Sequence, residues 1–151
     1  MVQFHPQEEM LLSPKKVKFI KQHSRKDDTK TLQKLGNFNY GYFAMYAEES
    51  GKICAKQIEA IRLVLRRSLK RQAKIWIKLY VHSSFTKKPN ETRLGKGKGN
   101  VKYWNSIIQP GKLLLEIKGC NPDIAMQTLD KVKHKLSIKA MVRSKYSRWI
   151  L

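Results

Sequence analysis

Between residues 55 and 71 the apolar side chains Ile58, Ile61, Leu65 and Leu69 fall at spacings of 3, 4 and 4, which puts all four on one face of a helix. Arg62, Arg66 and Lys70 recur every fourth residue beside that stripe, and Arg67 and Arg71 widen the edge. The pattern predicts a helix over 55–71 with one face on a core and the other presenting cations. A second helix is predicted from Asn121-Pro122-Asp123. Asn is a favoured N-cap, Pro fits the first helical position and Asp suits the first turn. Ala125, Leu129, Val132 and Leu136 then form its buried stripe.

Strand patterns fill much of the remainder. Residues 38–47 are aromatic, with Phe38, Tyr40 and Tyr42 alternating and Gly41 marking a bulge or a close approach. Core packing is preferred over base stacking for these rings. In 74–81, Ile75, Ile77, Leu79 and Val81 face one way while Trp76 and Tyr80 face the other. Segments 103–109 and 112–118 flank the turn pair Pro110-Gly111 and are expected to form a hairpin. A last strand is expected over 138–143. Residues 82–102 read as one long loop, and 27–37 as a shorter one. There is no internal repeat and no second domain. The expected organisation is an extension at 1–14, a single domain at 15–143 and a second extension at 144–151.

Charge changes the picture most. Lys plus Arg number 32 against 11 acids, a net charge of +21. Self-repulsion at that charge destabilises an isolated compact protein, and a dense polyanion relieves it. Nucleic acid fits, because its phosphates bind Lys and Arg and release counterions. A membrane surface fits poorly: neither helix has a face broad and apolar enough to lie in lipid. On the first helix only Glu59 offsets the five cations, and like charges four residues apart disfavour a helix, so an external anion is expected to compensate. Residues 15–26 form a basic arm with a short apolar patch at Val17, Phe19 and Ile20.

The densest signal lies in the 82–102 loop. Gly95, Gly97 and Gly99 alternate with Lys96 and Lys98. Alternating glycines allow close backbone approach to another polymer, and the lysines supply charge for phosphates. The same run is not a P-loop, which needs Gly-x-x-x-x-Gly-Lys-Ser/Thr opening a helix, nor a dinucleotide fingerprint, because Asn stands at position 100 and a strand follows.

Other chemistry is sparse. No Ser or Cys nucleophile has a recognisable base partner. The acids are too few for a two-carboxylate or magnesium-clamping site. Glu91 reads as an internal partner for Lys88 or Arg93. The four histidines are scattered, and Cys54 and Cys120 do not form a Cys-x-x-Cys pair, so neither a metal site nor a cofactor is expected. No apolar run approaches the ~20 residues of a membrane span. The first ten residues lack an apolar signal core, and Glu8 and Glu9 argue against a cleaved transit peptide. The chain is expected to work in the compartment where it is made.

Lys74-Ile75-Trp76-Ile77, the loop 93–100, Tyr103-Trp104 and Gln109-Pro110-Gly111-Lys112 together closely resemble the bacterial and organellar large-subunit ribosomal protein sixteen family. Gln57-Ile58-Glu59-Ala60 with Arg62 resembles that family's first helix, and Leu12 to Lys16 with Lys18, Phe19 and His23 its basic N-terminus. The resemblance covers about residues 11–143. The chain departs from the pattern at Asp27 and Asp28, where the family is basic, and at 48–52, where Glu48 and Glu49 replace a basic glycine-rich turn.

The resemblance implies an α+β fold with two helices on a mixed, partly barrel-like sheet. It implies a structural, non-enzymatic protein seated on large-subunit ribosomal RNA near the peptidyl transferase centre. Its partners would be that RNA, A-site tRNA and neighbouring ribosomal proteins, without homo-oligomer formation. By position, the arm residues toward RNA are Lys15, Lys16, Lys18, Lys21, His23 and Arg25. The functional-centre loop carries Lys87, Lys88, Arg93, Lys96 and Lys98. The alternative is an RNA-processing or RNA-modifying enzyme with a basic surface. Lysine outnumbers arginine 24 to 8, a ratio that phosphate recognition does not demand. With the divergence, it points to a mitochondrial, organelle-encoded member, a plastid or bacterial protein being the alternative.

Overall fold

The computed structural model describes residues 12–23, 37–70, 72–93, 95 and 97–145. The first predicted helix is α1, Ala55–Ser68. Its stripe Ile58, Ile61, Leu65 and Leu69 is buried as the spacing requires, each such side chain contributing about 1.5–3 kcal/mol. Gln57 starts the helix by accepting the Cys54 amide at 2.9 Å. The end is less regular. Lys70, just past the C-cap Leu69, has φ = 45°, a left-handed conformation that glycine adopts without strain. Lys70→Gly is therefore expected to stabilise the free protein by about 0.5–1 kcal/mol. Urea denaturation measures it, and a loss would show that the lysine side chain holds the turn.

The second helix, α2, runs Pro122–Lys133, with the Asn121 side chain accepting from the Asp123 amide. Ala125, Leu129 and Val132 are buried, and Leu136 packs against them from just beyond the helix. The helices pack on each other, α1 also against β2 and β5, and α2 against β7.

The strands are β1 Phe43–Ala47, β2 Gly51–Cys54, β3 Lys74–Ile77, β4 Ser83–Lys87, β5 Asn100–Ile108, β6 Leu113–Lys118 and β7 Ala140–Ser144. The α+β class with two helices holds. The single mixed sheet does not: the described strands form a four-stranded sheet, β3-β6-β1-β7, and a three-stranded sheet, β2-β5-β4, with every pairing antiparallel. Phe43, Met45, Leu115 and Ile117 join the helical stripes and Ile53 and Ile108 in one core.

The expected 103–118 hairpin is also corrected. The turn itself is present: the Lys112 amide bonds the Gln109 carbonyl at 3.2 Å, and Gly111 has φ = 83° behind Pro110, the type II arrangement. Yet β5 pairs with β2 and β4 while β6 pairs with β1 and β3. The turn is a corner between sheets. Gly111 donates to the Ala47 carbonyl at 2.7 Å and Ala47 to the Lys112 carbonyl at 3.0 Å, tying the corner to the end of β1.

The 38–47 strand begins only at Phe43, because Gly41 lies over β6. A Cβ at Gly41 would stand 2.8 Å from Glu116 Cβ and 2.9 Å from the Ile117 carbonyl oxygen. The segment before it crosses the outer face of the large sheet. Phe38 meets Tyr46 edge-on, and Tyr40 stacks on Trp76 at 5.5 Å. Glu116, fully buried, accepts the amides of Asn39, Tyr40 and Gly41 at 2.8, 2.7 and 2.9 Å. Burial opposes the Glu116 charge. The three backbone donors and Lys78 outweigh it, holding the carboxyl below its ordinary range.

Candidate nucleic-acid interface

Two strands narrow the 82–102 loop. β4 and the start of β5 occupy both ends, pairing Phe85 with Tyr103 and Lys87 with Asn100, and leave 88–99 as the loop proper. Lys88 Nζ donates to the Gly95 carbonyl at 2.5 Å, so this lysine closes the loop on itself.

The three glycines do different work. Gly95 and Gly97 have φ of 93° and 79° with open space around them. Gly99 sits against its own chain: a Cβ there would be 2.7 Å from the Lys87 carbonyl carbon and oxygen. Close approach at Gly99 therefore serves β4–β5 pairing. Gly99→Ala is expected to cost the free protein about 1–3 kcal/mol, more than Gly95→Ala, whose penalty is local backbone strain. Thermal melting of the two variants checks the order, and equal midpoints would remove the distinction.

The arm and the loop, 76–77 residues apart in sequence, meet. Lys21 Nζ donates to the Lys98 carbonyl at 3.2 Å, and Lys98 Nζ donates back to the Gln22 carbonyl. Lys15, Lys16, Lys18, Lys21 and His23 are exposed on the arm, as are Lys87, Arg93 and Lys98 at the loop, while Lys88 is half-buried. Arg25, Arg71 and Lys96 lie outside the described residues. On α1, Arg66, Arg67 and Lys70 are exposed. Arg62 is not an open cation: its guanidinium grips Glu59 through Nε at 3.0 and 2.9 Å and through Nη2. That bond holds the Glu59 carboxyl below its usual range. The helix stripe thus splits into one internally paired arginine and an exposed group at its C-terminal end.

One acidic departure, Glu49, is absorbed internally. Glu49 bonds Lys139 at 2.9 Å. Among the described residues no group of three His, Cys, Asp or Glu side chains could hold a metal ion. None of the described helices is long and apolar enough to cross a membrane.

Sequence comparison decides the family. The model for ribosomal protein L16p/L10e matches residues 14–143. Large ribosomal subunit protein uL16 of Blochmanniella pennsylvanica is 45% identical over 131 residues, covering 86% of this chain and 96% of that protein. The uL16 of Buchnera aphidicola subsp. Cinara cedri is 42% identical over 135 residues, covering 89% and 98%. That of Fervidobacterium nodosum is 42% identical over 137 residues, covering 90% and 95%. The chain belongs to the L16p/L10e family. The L16p/L10e match takes in both helices, the loop 88–99 and the described part of the arm, so the arm–loop junction lies wholly within the family's span.

Sequence reasoning missed three features here. β4, Ser-Ser-Phe-Thr-Lys, has a single strongly apolar residue and no readable alternation. Phe85 therefore carries no strand signal, and the sequence does not show its partnership with Tyr103. Glu116 has no motif that marks it. Its signal was a lone acid between Leu115 and Ile117 in an otherwise apolar run.

Proposed function

We propose that this L16p/L10e member is a non-enzymatic structural constituent of the large ribosomal subunit. Its arm and loop bind large-subunit ribosomal RNA near the peptidyl transferase centre and support positioning of A-site tRNA. The observation that carries the reading is the arm–loop junction. Two segments far apart in sequence are bonded through Lys21 and Lys98, and both expose cations. The acceptors of these two bonds are backbone carbonyls, so neither bond neutralises its lysine, and an RNA backbone supplies anions for them. Enzymatic chemistry has no place in a family of structural ribosomal proteins.

Residues 15–143 act as one domain between two extensions, and the protein works as a single copy among RNA and neighbouring ribosomal proteins. The lysine excess supports the mitochondrial matrix as its compartment. The three bacterial relatives named above support the bacterial cytoplasm as the alternative.

The test uses large subunits reconstituted with Arg93→Ala/Lys98→Ala protein. Subunits of normal occupancy are expected to accommodate A-site tRNA about tenfold more slowly, since two charge-assisted contacts are lost. Wild-type accommodation at full occupancy would make the loop an anchor only.

A further inference from the structure

Phe85 and Tyr103 face each other across β4 and β5 with ring centroids 4.7 Å apart and planes at 19°. They remain 42% and 36% exposed, unusual for a stacked pair that a fold keeps for its own core. Next to them the ladder shifts register. Phe85 pairs with Tyr103 and Thr86 with Val101, so Lys102 has no opposite residue. Such a bulge re-aims a side chain, and Lys102 lines an open groove of about 470 Å³ together with Lys87, Lys88, Asn90 and Asn100. No acidic side chain is among the described residues that line it. Lys87 lies two residues along β4 from Phe85, about 7 Å, which is the reach of one nucleotide.

A second aromatic group, Tyr40 with Trp76, is the natural rival. Its exposed ring already has two partners, Trp76 stacked at 5.5 Å and Lys78 Nζ 4.4 Å from the centroid. A base would have to compete with both. At Phe85 and Tyr103 each ring is described with a single stacking partner, the other.

We propose that the Phe85–Tyr103 pair and the adjoining lysine groove form a binding site for one unpaired RNA nucleotide, its base on the rings and its phosphate on Lys87 and Lys102. This rests on the RNA-binding reading above and adds to it a preference for single-stranded over paired RNA. Base–aromatic stacking is tolerant of sequence because every base has a π-face. Asn90 and Asn100, with both donor and acceptor groups, can bond a base edge or a ribose hydroxyl. A neighbouring protein is the weaker occupant, because a groove whose described lining has three lysines and no acid is matched to phosphate.

The full-length chain is titrated with a short single-stranded RNA carrying a central 2-aminopurine and with a fully paired hairpin of equal charge. For wild type and Tyr103→Phe, 2-aminopurine fluorescence is expected to fall on binding. In Phe85→Leu/Tyr103→Leu the quench disappears and single-strand affinity drops about ten- to a hundredfold, the size of one lost base stack, while hairpin affinity holds. Equal weakening on both RNAs, or an unchanged quench, overturns the site. Unchanged single-strand affinity also overturns it and leaves the platform to a protein partner. Failure of the wild-type chain to bind either RNA instead sinks the underlying reading. Should the double variant not fold, photo-crosslinking of wild-type protein to 4-thiouridine RNA decides. Adducts on Phe85 or Tyr103 support the site, and adducts confined to the arm and residues 88–99 overturn it.

Discussion

Glu116→Ala is expected to cost the free protein about 3 kcal/mol or more, because it strips three amide donors of their acceptor beneath the segment that crosses the large sheet. Glu116→Gln is expected to fall in between: one carbonyl oxygen remains, but the amide nitrogen faces donors. The charge also makes stability depend on acid. The Glu116 carboxyl is held below its ordinary range in the folded state. Its contribution is therefore complete above the ordinary carboxylate range and is lost as pH falls through the lowered folded-state value. Wild type should show a steeper acid limb of stability than Glu116→Gln. Urea denaturation at several pH values measures both effects. Parallel acid limbs, or a Glu116→Ala variant as stable as wild type, would show that solvent satisfies the three amides.

The difference between what was legible in the chain and what was not follows from which forces are local. The helices were legible because 3.6-residue periodicity and end caps act within a few residues: Ile58 to Leu69 and Asn121 to Val132 read directly. The Pro110-Gly111 turn was legible for the same reason. What that turn joins was not, because partner choice depends on whole-sheet burial, and both flanking strands found better partners elsewhere. Segment 38–47 failed as one strand on a single contact: Gly41 over Glu116 is a meeting of residues 75 apart. The basic groups were legible as composition but not as geometry. Glu59 stands three residues before Arg62, the right distance for a helical ion pair, so that one contact could be read from the spacing. The sequence could not show that Lys21 and Lys98 would join arm to loop.

That geometry sets the salt dependence of RNA binding, the largest effect expected here. A protein making ~6–10 phosphate contacts loses about 10³–10⁵ in affinity between ~50 and ~200 mM salt. Lys15, Lys16, Lys18 and Lys21 on the arm, Lys87, Arg93 and Lys98 at the loop, and Arg66, Arg67 and Lys70 on α1 are all exposed, enough to supply such a count. The structure ranks them further. Each exposed cation that meets a phosphate adds ~0.7–0.9 to the slope of log affinity against log salt. Arg66→Gln/Arg67→Gln should therefore flatten the slope by roughly 1.4–1.8. Arg62→Gln should change it far less, because Arg62 is already neutralised by Glu59. Its loss even frees an acid that opposes RNA, so affinity should fall without the matching change in slope. Filter binding or fluorescence anisotropy on a large-subunit RNA fragment, repeated across salt concentrations, reads both quantities. A wild-type affinity that stays flat removes the electrostatic argument altogether. A slope that changes as much for Arg62→Gln as for a single exposed arginine would mean that RNA breaks the Arg62–Glu59 pair on binding.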